Sequence, residues 1–312
     1  MDLLAISLGE LQPDEPLWGG LRAATAAGAT GVEYWHPVRN GSGTGSADRD
    51  LAAIKSSGLS IACIATPTQL GTDARHESDA QILHEAIALA ARHGVALVNT
   101  YFGYPADADD RVRIARYRER VLPVLELAER TGVTLVLENE FDCFGSDGVR
   151  ADLTRRPAAL RELVAAIDSP HFGLTFDACN ALFAHLQPLQ DFLRPLVDSI
   201  RYVHVKDGRR RSGPARAGWR SLQDSGQDFE TCPLGEGEVG WPSLLAALAE
   251  QGYCGWYTSE PHAAPATRDE AWQELAVRFS SCAGTKAEPV VDGPARSQPT
   301  VHRQNARIDR PA

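Results

Sequence analysis

Short apolar runs alternate with helix-like runs eight times between residue 3 and about residue 280, and few folds accept that pattern. The apolar runs are LLAISLG (3–9), GVEYW (31–35), LSIACIATP (59–67), ALVNTYFG (96–103), TLVLENE (134–140), FGLTFDA (172–178), SIRYVHVKD (199–207) and GWYTSEPH (255–262). Strands covered on both faces read this way, and parallel neighbours need a long crossover that a helix supplies. Within 78–93, Ile82, Ala86, Leu89 and Ala90 recur at helical spacing, and Gly94 stops the helix. Helices around 16–27, 47–57 and 109–131 end in the same way at Gly28, Gly58 and Gly132, with Pro123 a candidate kink in the last. More helices are expected near 157–167, 189–197, 241–250 and 268–280, with a long loop at 208–235. Doubly wound sheets have fewer units and carry GxGxxG after the first strand, which this sequence lacks. The prediction is an α/β fold: a single (βα)8 TIM barrel over residues 1–280. From 281 to 312 the chain turns to Pro, Ala and polar residues without apolar periodicity, which predicts a disordered tail.

Charge narrows the partners. Thirty-one basic residues against 41 acidic ones leave a net charge of −10, whereas nucleic acid and anionic membranes both demand a basic face. The six cysteines show no CxxC spacing, and Cys63, Cys179 and Cys254 fall in or beside strands, as reduced thiols of a cytoplasmic protein do. MDLLAISLGE has no basic n-region, and no stretch approaches about 18 apolar residues, so neither a secretory signal nor a transmembrane helix is expected. A homo-oligomer is compatible with the sequence.

Four of the apolar runs carry a polar residue at their end: Glu138, Asp177, His204 and Glu260. Three carboxylates and an imidazole form a donor set for a divalent cation of intermediate hardness. A barrel gathers strand ends at its C-terminal mouth, so the four converge. A lone buried carboxylate there costs several kcal/mol unless it is paired or bound to metal. An ion-pair network closing the top of the barrel meets that requirement equally well.

The segments LVLENE, GLTFDACN, YVHVKD, LGEGEVGW and WYTSEPH resemble successive motifs of the xylose isomerase-like barrel superfamily. Within it they resemble the sugar phosphate isomerase/epimerase proteins, which include tagatose/psicose 3-epimerases and inosose isomerases and dehydratases. The resemblance covers about residues 3–280, and HVKD, then GEG-x-x-x-W, then a strand-end Glu is its most specific part. It implies that Glu138, Asp177, His204 and Glu260 hold one divalent metal ion (Mn2+, Co2+, Mg2+ or Zn2+). It also implies that Glu138 and Glu260 are catalytic, moving a proton on opposite faces of a small sugar through a metal-stabilised enediolate. Arg210 stands where the epimerases place a substrate-binding Arg. Asn180 replaces their His, and Phe144 replaces a second positioning Glu, with Glu140 nearby.

Other residues have two readings each. Glu33, Trp35 and His36 follow the second strand and form either a substrate wall, with His36 on hydroxyls, or a packed rim; Tyr101, Phe102 and Tyr104 share the ambiguity. Lys206 either pairs with Asp207 or enters the pocket as a cation, and His262 shares a side of the strand with Glu260. Arg209, Arg210, Arg211, Arg216 and Arg220 make the loop 208–220 either an anion-recognising element or a solvated lid. The leading function is a metal-dependent isomerase or epimerase of a small sugar or polyol-derived carbonyl compound. A dehydratase on an inosose-like substrate uses the same site. An apurinic-site endonuclease needs extra histidines that ATP (65–67), NTYFG (99–103) and Asn180 do not provide. A barrel that only binds a ligand is the remaining reading.

Overall fold

Eight parallel strands close into a barrel in the computed structural model, which describes residues 3–12, 14–37, 46–105, 109–141 and 152–284. In chain order the first seven are β1 (Leu3–Ser7), β2 (Gly31–Trp35), β3 (Ser60–Gln69), β4 (Leu97–Tyr101), β5 (Thr134–Glu138), β6 (Phe172–Asp177) and β7 (Ile200–Val205). The ring is completed by β11 (Trp256–Ser259), which pairs with both β7 and β1. Around it run α1 (Leu17–Ala26), α2 (Ser46–Ser56), α3 (His76–His93), α4 (Asp110–Thr131), α5 (Pro157–Ile167), α6 (Ala178–Phe183), α7 (Arg194–Leu196), α8 (Trp241–Glu250) and α9 (Pro265–Gly284). Gly94 (φ 66°) and Gly132 (φ 72°) end α3 and α4 in the left-handed conformation that favours glycine. Helix α4 runs unbroken through Pro123.

Period-two alternation sorts each strand into a helix-facing and a lumen-facing set. Ala5, Ala62, Cys63, Val136 and Tyr202 form a small cluster apart from the large core under the helices, with adjacent Ala62 and Cys63 both in it because the register of β3 against β2 shifts there. Val136 and Tyr202 lie two residues before Glu138 and His204, so those two side chains also point inward, one layer nearer the mouth.

Two expectations need correction. The segment 208–235 is not a plain loop: β8 (Asp207–Arg210), β9 (Ser221–Asp224) and β10 (Gln227–Cys232) form a three-stranded antiparallel sheet in the order β8-β10-β9. The last helix also extends past residue 280 to Gly284, because Trp272, Leu275, Phe279 and Cys282 continue one buried stripe at helical spacing. The rest of the expected tail, from 285 onward, lies outside the described residues, as does Phe144. Among the described residues no helix is long and apolar enough to cross a membrane.

Candidate metal centre

Glu138 and Asp177 are the last residues of β5 and β6, His204 lies in β7, and Glu260 follows β11. Each offers one donor atom, and the four atoms lie within 4.8 Å of one another. A cation with bonds of about 2.1 Å holds donors up to about 4.2 Å apart, so a small inward adjustment suffices to bind one. All four side chains are buried. Asp177 Oδ1 caps α6 by accepting from Asn180 N at 2.8 Å. Asp177 Oδ2 is buried and faces the Lys206 ammonium at 2.8 Å, so a cation is already drawn to the oxygens of this centre. The residues present therefore fit a divalent cation.

Neighbouring side chains set the orientation of the four. Glu33 Oε2 lies 3.0 Å from His204 Nε2, while Ser7 Oγ and Trp35 Nε1 donate to Glu33 Oε1 at 2.7 and 3.1 Å. His204 Nδ1 thereby faces Glu138 Oε1 at 3.0 Å and Glu260 Oε2 at 3.7 Å. Asn99 Nδ2 donates to Glu138 Oε2 at 3.0 Å and is itself fixed by Thr175 Oγ1 at 2.6 Å. Burial opposes charge on His204, yet the Glu138 and Glu33 carboxylates hold its pKa well above the ordinary imidazole range. Burial raises Glu138, against the pull of His204. Glu260 is held below the usual carboxylate range, because His262 and Lys206 outweigh its burial. Lys206, fully buried, stays charged beside Asp177 Oδ2 at 2.8 Å and Glu260 Oε2 at 3.6 Å.

One packing unit aims Lys206. Its neighbour Asp207 accepts backbone N–H groups from Gly208, Gly235, Gly237 and Val239 at 2.8–3.4 Å. A Cβ at Gly237 would stand 2.0 Å from Asp207 Oδ1, so only glycine fits there. Trp241, buried at the start of α8, donates its indole N–H to the Lys206 carbonyl at 3.1 Å. HVKD and GEGEVGW are thus two halves of one construction beside the centre.

Above the four donors opens a cavity of about 590 Å3. Asn180, Lys206 and His262 line it, together with Trp35, Tyr101, Glu140 and Trp219. His36 and Arg210 do not. Alternation along β2 turns Glu33 and Trp35 inward but His36 outward, where its Nε2 lies 3.8 Å from Glu85 on α3. Arg210 sits on β8 and pairs with Glu238 at 2.6 Å, away from this cavity. The arginine that does reach it is Arg220. Glu10, which lines the cavity with Oε1 3.7 Å from His262 Nε2, belongs to no motif in the sequence, and neither does Asn99. Asn99 left a signal: an inward-facing amide in an otherwise apolar strand.

The sequence model for the xylose isomerase-like TIM barrel matches residues 21–281. Among the curated relatives, two illustrate the match, each in part. One is L-ribulose-5-phosphate 3-epimerase UlaE of Salmonella paratyphi C, 28% identical over 60% of this chain and 57% of that protein. The other is the uncharacterized protein MJ1311 of Methanocaldococcus jannaschii, 29% identical over 42% of this chain and 38% of that one. The chain thus spans less than two thirds of either relative's length. Among solved structures, a xylose isomerase domain protein from Planctomyces limnophilus superposes with a TM-score of 0.71 at 17% identity, over 90% of this chain and 97% of that one. A xylose isomerase-like TIM barrel protein from Mycobacterium smegmatis in complex with magnesium gives 0.64 at 19% identity, over 86% and 91%.

Proposed function

Because this chain belongs to the xylose isomerase-like TIM barrel family, we propose that it is a divalent-metal-dependent isomerase or epimerase of a small sugar or polyol-derived carbonyl compound. The observation that carries this reading is the convergence of Glu138, Asp177, His204 and Glu260 within 4.8 Å beneath a cavity of sugar size. The epimerase activity in a relative's name and the magnesium in a structural neighbour support it.

When bound, the cation supplies Lewis-acid polarisation of a substrate carbonyl and its neighbouring hydroxyl, which acidifies the C–H group between them. Glu260, held ionised by His262 and Lys206, is in the charge state in which a carboxylate would take up that proton. Glu138, whose oxygens face His204 and Asn99, returns one from the other side. Asn180 Oδ1 is buried without a hydrogen-bond partner and accepts from a substrate hydroxyl. Trp35, stacked on Tyr101 with ring centroids 6.4 Å apart, forms an apolar wall for a sugar face.

A dehydratase reading has one observation in its favour. Glu140 lines the cavity, and burial followed by the charge of Glu138 pushes its carboxyl well above the usual range. A protonated carboxyl at that place can donate to a departing β-hydroxyl.

The test is incubation of metal-loaded protein in D2O with ketoses, inososes and sugar phosphates, followed by NMR. Deuterium uptake at a carbon next to the carbonyl supports the proposal, and an unsaturated product selects the dehydratase. No exchange across the panel by metal-loaded protein contradicts both.

A further inference from the structure

Four of the five arginines on the excursion between β7 and α8 are neutralised within it. Arg209 pairs with Glu230 at 2.7 Å, Arg210 with Glu238 at 2.6 Å, Arg211 with Asp228 at 3.0 Å and Arg216 with Glu236 at 3.0 Å. Arg220 differs on two counts. Among the described residues it forms no ion pair with a carboxylate, and it alone of the five lines the cavity over the candidate metal centre.

Its position is fixed rather than left to solvent. Arg220 N donates to Thr231 Oγ1 at 3.0 Å and to the His262 carbonyl at 3.3 Å, while its own carbonyl accepts from Thr231 N at 2.9 Å. The preceding residues are tied down too: Trp219 bridges to Ala263, and the Gly218 carbonyl accepts from Ala264 N at 2.7 Å. Gly218 has φ 83°, and a Cβ there would stand 2.1 Å from Thr267 Oγ1, so this close seating requires glycine. The guanidinium gives one hydrogen bond, from Nη1 to His262 Nδ1 at 2.7 Å, and His262 Nε2 lies 3.0 Å from Glu260 Oε2. One imidazole ring and two hydrogen bonds therefore separate Arg220 from a metal-centre carboxylate. A short carbon chain bridges that distance. The other cation of the cavity, Lys206, is already committed to Asp177 and Glu260.

We propose that Arg220 binds an anionic group, a phosphate ester or a carboxylate, at the end of the substrate remote from its carbonyl. The substrate class is then an acidic sugar derivative rather than a neutral sugar. A guanidinium with uncommitted N–H groups matches either anion in its fork geometry. The inference rests on the proposed function for the location of the carbonyl.

The experiment measures binding to cation-loaded protein by calorimetry for three pairs: ribulose with ribulose 5-phosphate, fructose with fructose 6-phosphate, and sorbose with 5-keto-gluconate. Wild type is expected to favour at least one anion over its neutral counterpart by about tenfold or more, and the favoured pair tells phosphate from carboxylate. Arg220→Ala brings the ratio close to one, Arg220→Lys keeps part of it, and Arg210→Ala keeps all of it. A wild type without anion preference, whether from equal binding or from none, overturns the assignment, as does an Arg220→Ala variant that retains the preference. Titration of the divalent cation alone separates the two readings. Protein that takes up no cation contradicts the proposed function, while the anion ratio measured on that same protein still decides the role of Arg220.

Discussion

Glu33 Oε2 lies 3.0 Å from His204 Nε2, and this contact decides which imidazole nitrogen faces the mouth of the barrel. With Nε2–H donated to Glu33, Nδ1 is the nitrogen whose lone pair, once its proton leaves, would go to a cation shared with Glu138, Asp177 and Glu260. Ligating histidines are commonly oriented by such a carboxylate, and loss of the partner weakens metal binding about 10- to 100-fold. Glu33→Ala is therefore expected to lower divalent-cation affinity by that factor in a calorimetric titration. An unchanged affinity means that Glu33 does not orient the ring.

Lys206 Nζ is the buried counter-charge of Asp177 and Glu260. Lys206→Met leaves two buried carboxylates with less compensation and should destabilise the metal-free protein by about 3 kcal/mol. A divalent cation supplies the missing charge, so its addition should recover more stability in the variant than in wild type. Urea denaturation with and without cation measures the difference; equal recovery in both proteins contradicts it.

Metal binding should strengthen as pH rises. In the metal-free protein the carboxylates of Glu138 and Glu33 hold the His204 pKa above its ordinary 6.5, and burial raises Glu138. Those protons must leave when a cation binds. A raised imidazole pKa also stabilises the metal-free fold fully below pH 6.5, and that contribution is lost as pH climbs through the folded-state value. Both effects act in one direction, so the rise in Tm on adding cation should grow between pH 6 and pH 8. A rise that shrinks over this window contradicts the ligand assignment of His204.

Gly237→Ala places a methyl group 2.0 Å from Asp207 Oδ1 and 2.5 Å from the Gly208 carbonyl. Both neighbours are held by hydrogen bonds, and overpacking of this kind costs about 1–3 kcal/mol. Thermal denaturation should show a Tm lowered by several degrees. A wild-type Tm means that the turn relaxes freely and does not set the course of Lys206.

The barrel and the convergence of the four candidate ligands are legible for one reason: a charged residue closing an apolar run marks both the strand and its end. Glu138, Asp177, His204 and Glu260 all carry that mark. Glu33 carries it more weakly, because Trp35 extends the apolar run past it. His36 stands outside the cavity because alternation along β2 sends it outward with Tyr34, whose hydroxyl bonds Asp50 at 3.0 Å. The sheet β8-β10-β9 was hidden because DGRR and SLQD are short and polar, with no apolar period to read. Its one local signal is the Ser225-Gly226 pair, with φ of 49° and 81°, a two-residue hairpin turn between β9 and β10. Arg210 and Arg220 look alike in the sequence. Their different fates depend on which acids the folded excursion brings beside them.

Glu138, Asp177, His204 and Glu260 are expected to hold one divalent cation. Metal analysis of purified wild type beside Glu138→Gln and His204→Ala tests it most directly. About one equivalent of cation per chain is expected in wild type and a large loss in both variants, since each removes one of four donors. Wild-type metal content in both variants would contradict it.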